Sequence, residues 1–410
     1  MGGRRRGYSC HRSHQPGGLR IRSHGLLPVR MSHRRGTQAL RIRSARQRVE
    51  PQGLPEPRVA RIRPDPLPFL MRAKPLFLFL TLTILIPGCG EQADDEPELL
   101  VLRGKALGTT WMVKVRSREP IDQEKLQTDL QSKIEEHEKI LSHWRPDSVL
   151  YQLNASLATD PVTVPRVLHD LLRHAKWIHE QTNGAFDPTI APLVNLWGFG
   201  PVSTDRLRIP AREEIEGTLG QVGMERLEMM DRNRVRKTRA DLQVDLSASA
   251  KGEIIDRVCS LLDRWGMKDY LVEIGGEVRA KGDGRNGPGW KVLLEDGSGA
   301  RTTSVALRDY AVATSGTYRQ SKPNPDSTKA ASHLIDPRTG RPVEHDLVAV
   351  NVLAPTARDA DALATALLIL GPRDGISMAE EMDLVARFCL KDANGSQIIL
   401  SRAYERLFPE

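Results

Sequence analysis

Cysteine is scarce in this sequence, four in 410 residues. Cys10, Cys89, Cys259 and Cys389 show no paired spacing, so neither a zinc site nor a redox dithiol can be read from them. Cys259 falls on the apolar face of a predicted helix, which assigns it to the core. Several nucleotide and hydrolase signatures are missing as well. There is no GxxxxGK[ST] phosphate loop and no strand, glycine loop and helix fingerprint of the dinucleotide-binding type, which disfavours P-loop and Rossmann readings. No HExxH surrounds His169, His174 and His179, and their five-residue spacing turns successive rings apart where a metal pair wants three or four. The absence of GxSxG weakens a hydrolase reading.

Lysine is missing from residues 1–70, where 16 Arg stand against Glu50, Glu56 and Asp65. That segment holds +13 of charge while the whole chain holds +8, which leaves −5 for residues 71–410. The acidic remainder argues against nucleic acid as a partner. Residues 1–70 lack hydrophobic periodicity and are expected to be a disordered basic leader outside the native protein. From Met71 the chain reads MRAKPLFLFLTLTILIPGCG, a charged n-region, an apolar core Leu76 to Ile86 and a small-residue end, which is an export signal. Eleven residues are too few for a permanent membrane span. Ile86-Pro87-Gly88-Cys89 resembles a lipobox with Cys89 as the lipidated residue, although Pro87 departs from the usual small or aliphatic side chain. Met71 is then the expected start, residues 71–89 the lipoprotein signal, 90–98 a polar tether and 99–410 the folded domain.

Within that domain, Leu99 to Val115 alternates as strand, bend and strand. Residues 122–142 are predicted as a helix packing Leu126, Leu130, Ile134, His137 and Leu141. A second helix over 164–182 should bury Trp177 and Ile178 and stop at Asn183-Gly184. Residues 184–201, GAFDPTIAPLVNLWGFGP, read as a structured loop headed by Ala185-Phe186-Asp187. Residues 202–242 read as a surface helix and a strand pair. Val244 to Leu246 should close a strand before a helix capped by Ser247, with Ile255, Val258, Leu262 and Trp265 as its apolar stripe and Gly266 as its end. Strands are expected at Tyr270 to Ile274 and 290–295, and a loop of small and hydroxyl residues over Ala311 to Tyr318.

The densest chemical signal is LVAVNVLAPTARDADALATALLILG, Leu347 to Gly371. A β-branched run gives way to a helix capped near Pro355-Thr356. Asp361 and Thr365 then share one face among alanines. Carboxylate, hydroxyl and carbonyl oxygens are the ligands Mg²⁺ takes beside phosphates; a closely packing Ala-rich helix explains the same residues. Lys251 sits in the first turn of its helix, where a cation needs an anionic partner. A bound phosphate or a sideways reach to Asp245 or to water would each serve. His333, near Asp336, can act as a general base or be structural.

The stretches GKALGTTW, LSHWRPDS, TNGAFDPT with PLVNLWGFGP, VDLSASAKG, VEIGGEVRAKG, AVATSGTYR, SHLIDPRTGRPV and ARDADALATALLILG, in this order, resemble the ApbE-type FAD:protein FMN transferases over roughly residues 100–390. The resemblance implies that the positions of Leu107, Trp144, Ala185, Phe186, Asp187, Asp245, Lys251 and Ile335 contact FAD. Leu107 departs from the family's usual Met but keeps its bulk and apolarity. It also implies Mg²⁺ on the backbones of Ala248 and Ala364 and on Asp361 and Thr365. His333, with Asp245 and Lys251, is expected at the catalytic centre. The implied reaction moves the FMN half of FAD onto a Ser or Thr hydroxyl of an exported redox-protein acceptor and releases AMP. The implied setting is the bacterial cell envelope, lipid-anchored through Cys89 and facing the periplasm. An FAD pyrophosphatase and a non-catalytic flavin-binding lipoprotein remain alternatives. The expected fold is α+β, one two-lobed catalytic unit with helices flanking largely antiparallel sheets and the flavin in the cleft between lobes.

Overall fold

A computed structural model describes residues 96–202, 208–297, 302–324, 329–392 and 395–409. The leader, the export signal, Cys89 and most of the tether lie outside the described residues. The scaffold is an eight-stranded sheet, β1 (Glu98–Ala106), β2 (Thr109–Ser117), β3 (Asp269–Ile274), β4 (Glu277–Lys281), β5 (Ala311–Gly316), β6 (Leu347–Ala354), β7 (Val385–Asp392) and β8 (Gly395–Leu400). Its strands lie side by side in chain order, and every pairing is antiparallel.

Alternation along the strands sorts side chains to two faces. Tyr270, Val272 and Ile274 join the main core, as do Ala311, Ala313, Val350 and Val352. That core is roofed by α1 (Gln123–Leu141), α2 (Arg166–Gln181), α3 (Ala250–Arg264) and α4 (Ala357–Glu381). Leu271, Val278, Ala280, Val312 and Leu353 point the other way, against a hairpin of Trp290–Glu295 with Thr302–Leu307 and the helix Arg402–Leu407. The three-stranded sheet of Val162–Thr163, Arg234–Lys237 and Leu227–Met230 packs Leu227 and Val235 into the main core, and the second lobe is a smaller body with helices Ala191–Leu196 and Arg212–Leu219 and two short hairpins. It has a small core of its own, in which Leu193, Trp197, Ile215 and Ile335 meet. The molecule is α+β and two-lobed, as expected.

The predicted elements that differ do so for local reasons. Ala311–Gly316 is a strand, not a loop, because β4 and β6 supply hydrogen-bond partners on both sides and its small side chains admit the alanines of α4. Residues 244–246 form no strand: the Asp245 side chain accepts from Ser247 N, and Asp245 N donates to Pro188 O. The helix cap falls on Ser249 rather than Ser247. Residues 188–196, read as loop, wind into a 3-10 turn and a short helix whose first turn Pro192 tolerates. Trp177 is 43% exposed while Ile178 is fully buried, since the two face opposite sides of α2. A literal GxGxxG spacing does occur at Gly282, Gly284 and Gly287, but it lies in the connection after β4 and opens no helix.

Candidate active site

A cavity of about 350 Å³ lies between the lobes. Its floor is made where α3 meets α4. Thr356 caps α4 by accepting from Asp359 N, and Asp256 of α3 accepts from Ala357 N and Arg358 N, so a carboxylate faces the positive end of the α4 dipole. Asp361 follows in the second turn and Thr365 one turn later on the same face. The approach of α3 is set by Gly252: a Cβ there would stand 2.3 Å from the Ala357 carbonyl oxygen. Its bare backbone donates N–H to Asp361 Oδ2 at 3.1 Å.

Asp361 is only 3% exposed and Glu277 only 5%. Lys251 Nζ lies between them, 3.4 Å from Glu277 Oε1 and 3.7 Å from Asp361 Oδ1. Burial raises the pKa of Asp361 and pushes that of Glu277 up to about 7, each opposed by Lys251. Burial works against the Lys251 ammonium too, but Asp361 and Glu277 outweigh it and hold its pKa above the ordinary range. Two buried carboxylates thus face one ammonium, with the Arg319 charge also acting on Glu277. Glu277 Oε2 is buried without a hydrogen-bond partner. Thr365 Oγ1 shares a 2.8 Å hydrogen bond with Ser315 Oγ from β5. Asp361, Thr365 and the nearby Ala248 present an oxygen-only donor set, which fits a hard divalent cation.

The second lobe adds a wall through His333 and Ile335. His333 Nδ1 lies 3.0 Å from the Gln320 carbonyl oxygen. A carbonyl only accepts, so Nδ1 carries the proton and the lone pair of the neutral ring sits on Nε2. Burial lowers the His333 pKa, with the Lys251 and Arg319 charges in the same direction. Neutral imidazole is the form a general base needs. Asp187 caps the 3-10 turn: Oδ1 accepts from Thr189 N and Oγ1 at 2.7 and 2.6 Å, and Oδ2 lies 3.4 Å from His179 Nδ1. Burial raises its pKa. Asp245 Oδ1 lies 3.3 Å from the buried His143 Nδ1. Trp144 is 48% exposed at the rim, where a second cavity of about 580 Å³ shares Trp144, Phe199, Arg319 and Gln320.

The structure brings Trp144, Ala185, Phe186, Asp187, Asp245, Ala248, Lys251, His333, Ile335, Asp361 and Thr365 to one cavity wall. Leu107 and Ala364 are not on it. Leu107 holds the β1–β2 turn with φ 55° and donates its N–H to Glu138 at the end of α1, while Ala364 is fully buried in α4. Lys251 takes Glu277 and Asp361 as its carboxylate partners rather than Asp245. Asp336, paired in expectation with His333, is held by Arg338 at 2.8 Å and does not line the cavity. The helical histidines have separate partners, His169 the Met230 carbonyl, His174 Asp359, and His179 the Phe186 carbonyl. Sequence reasoning missed Glu277, His143 and Arg319. Glu277 had one signal, an acid directly after the Gly275-Gly276 turn; the other two had none.

A model of the ApbE family matches residues 107–388. An FAD:protein FMN transferase of Salmonella typhimurium is 33% identical over 335 residues, 80% of this chain and 95% of that protein. One of Vibrio cholerae is 35% identical over 326 residues, 78% and 95%. Among solved structures, the flavin transferase ApbE from Vibrio cholerae superposes with a TM-score of 0.70 at 35% identity, covering 76% of this chain and 99% of that one. The apo flavinyl transferase ApbE of Pseudomonas stutzeri gives 0.71 at 32% identity, covering 77% and 98%.

Proposed function

The chain belongs to the ApbE family, and from that premise we propose how its residues divide the work of flavin transfer. It is an FAD:protein FMN transferase: FAD is the substrate and a flavoprotein takes the flavin. The finer reading is Mg²⁺-dependent transfer to a Ser or Thr hydroxyl of an exported redox subunit. The acceptor oxygen attacks the FMN-side phosphorus, a new P–O bond forms, the diphosphate P–O bond breaks and AMP leaves. The hydroxyl proton goes to His333 Nε2.

The observation that carries this reading is the buried cluster of Lys251, Asp361 and Glu277 beside His333 with its Nδ1 tied to Gln320. A diphosphate cannot approach two buried carboxylates without positive charge between them. A divalent cation held by Asp361, Thr365 and the Ala248 carbonyl would neutralise the phosphate oxygens as charge develops. Lys251 and Arg319 add fixed positive charge on the same wall. Two adjoining cavities with Trp144, Phe186, Phe199 and Ile335 around them suit two flat rings joined by a diphosphate. Asp187 and Asp245, each tied to a histidine, brace the loops that carry Phe186 and Ala248.

The reading extends to residues before the domain: Cys89 as the lipidated N-terminus of a protein facing the periplasm, expected to show as a mature product lacking residues 1–88 and bearing lipid. The transfer itself is tested by the intact mass of an acceptor domain after incubation with the enzyme, FAD and Mg²⁺. A gain of one FMN moiety, matched by AMP and abolished by a chelator, is expected. AMP and free FMN with every acceptor tried left unmodified would replace transfer with FAD hydrolysis.

A further inference from the structure

Resting on that reading of the cation site, we propose that Glu277 is a positioning residue that holds the Lys251 ammonium off Asp361 and so keeps Asp361 Oδ1 open to a divalent cation. Asp361 has two oxygens. Oδ2 is taken by the Gly252 N–H at 3.1 Å, so Oδ1 is the oxygen left to bind a cation. The competitor for it is on the same helix turn as Gly252: Lys251 Nζ stands 3.7 Å away, outside hydrogen-bond distance but within ion-pair range. What draws Nζ aside is Glu277 Oε1 at 3.4 Å, with the Ser247 carbonyl at 3.5 Å.

The two carboxylates differ from the ammonium in freedom of movement. Glu277 opens β4 immediately after the two-residue Gly275-Gly276 turn, paired with Ile274, and its side chain is 6% exposed. Asp361 is fixed by α4 and by Gly252. Lys251 has a flexible four-carbon stem and a side chain 28% exposed, so it is the member that moves. Among the described residues, Glu277 and Asp361 are the two carboxylates within ion-pair distance of Nζ. With Glu277 neutral, the ammonium has one carboxylate left and settles on the oxygen the cation needs. Lys251 is therefore useful to a phosphate and harmful to the cation, and Glu277 decides between the two.

The test is a double-mutant cycle on the full chain, read as the affinity for Mn²⁺ alone by electron paramagnetic resonance, without FAD or acceptor. Glu277→Gln should weaken Mn²⁺ binding about tenfold, the scale of a buried charge-assisted contact. In a Lys251→Met background the same substitution should change affinity less than about threefold, because the competitor is gone. An equal loss in both backgrounds would overturn the proposal, since a carboxylate that ligates the cation or acts only through its field weakens binding whatever residue 251 is. Unchanged affinity in Glu277→Gln would overturn it too. If that variant fails to fold, Glu277→Asp, which keeps the charge but draws it back from Nζ, should show an intermediate loss that also vanishes with Lys251→Met. Asp361→Asn is the control for the underlying reading: undiminished Mn²⁺ binding there would remove the cation from Asp361 and overturn both.

Discussion

Gly252→Ala separates helix propensity from packing with opposite signs. In an open helix, replacing Gly by Ala stabilises by about 1 kcal/mol. At Gly252 the added Cβ would meet the Ala357 carbonyl oxygen at 2.3 Å, its carbon at 2.5 Å and Arg358 Cα at 2.7 Å, all backbone atoms of α4 that no side-chain rotation can clear. Ordinary contact requires the two helices to part by about 1 Å. Overpacking of this kind costs about 1–3 kcal/mol, and parting the helices stretches the Gly252 N–H bond to Asp361, worth about 1.5–3 kcal/mol when intact. The net expectation is a loss of about 2–4 kcal/mol, or about 3–6 °C in Tm for a domain of this size, together with weaker Mn²⁺ binding. Gly217→Ala is the matched control, a helical glycine with nothing within 4 Å of its Cβ, and should leave Tm unchanged or slightly higher. Thermal unfolding by circular dichroism reads both. A Gly252→Ala protein that melts at or above the wild type would refute the close approach of α3 and α4 as the constraint that shapes the cation site.

His333→Ala should reduce transfer by at least about 10²-fold while FAD binding, read by flavin fluorescence, stays intact; an active variant would remove the base assignment. Because burial lowers the His333 pKa, the wild-type rate should rise with pH through a value below 6.5 and be flat at neutrality, and this limb should disappear in the variant. Burial also lowers the pKa of His137 and His345. Below pH 6.5 the unfolded chain then takes up protons that the folded one refuses, so these histidines withdraw stability as pH falls toward their folded values. Glu277, its pKa raised to about 7, takes up a proton in the folded protein over the same range and opposes them, so the expectation is a difference: between about pH 7.5 and about pH 5.5 His137→Gln should lose less Tm, or gain more, than the wild type.

Much of the scaffold was legible because its periodic signals are local. The stripe Leu126, Leu130, Ile134, His137 and Leu141 predicted α1, and every member is buried. Asp361 and Thr365 were found because their spacing alone puts them on one helix face. The errors fall where partners distant in sequence decide. Ala311–Gly316 has little β-branched character and becomes a strand because β4 and β6 lie on either side of it. Trp177 was assigned to the core by its apolarity, but its position around α2 turns it outward. His143 and Asp245 lie about a hundred residues apart in sequence and meet only in the folded chain. Glu277 is inconspicuous in a strand, and its meaning comes from Lys251 and Asp361, which reach it from two different helices.

The chain-ordered sheet has a consequence for assembly. β1 and β2 form a hairpin at once, but the next partner of β2 is β3, and the whole stretch between Ser117 and Asp269 must be made and set aside before that pairing closes. Loop closure over such a distance is slow compared with hairpin formation. Until then β2 offers an unpaired edge that carries Trp111, Met112, Val113 and Val115, the kind of edge that recruits other chains. From β3 onward each new strand has a finished edge to join as it is synthesised. The vulnerable interval in the life of this protein therefore runs from the emergence of Ser117 to that of Ile274, while the hairpin waits for its next strand.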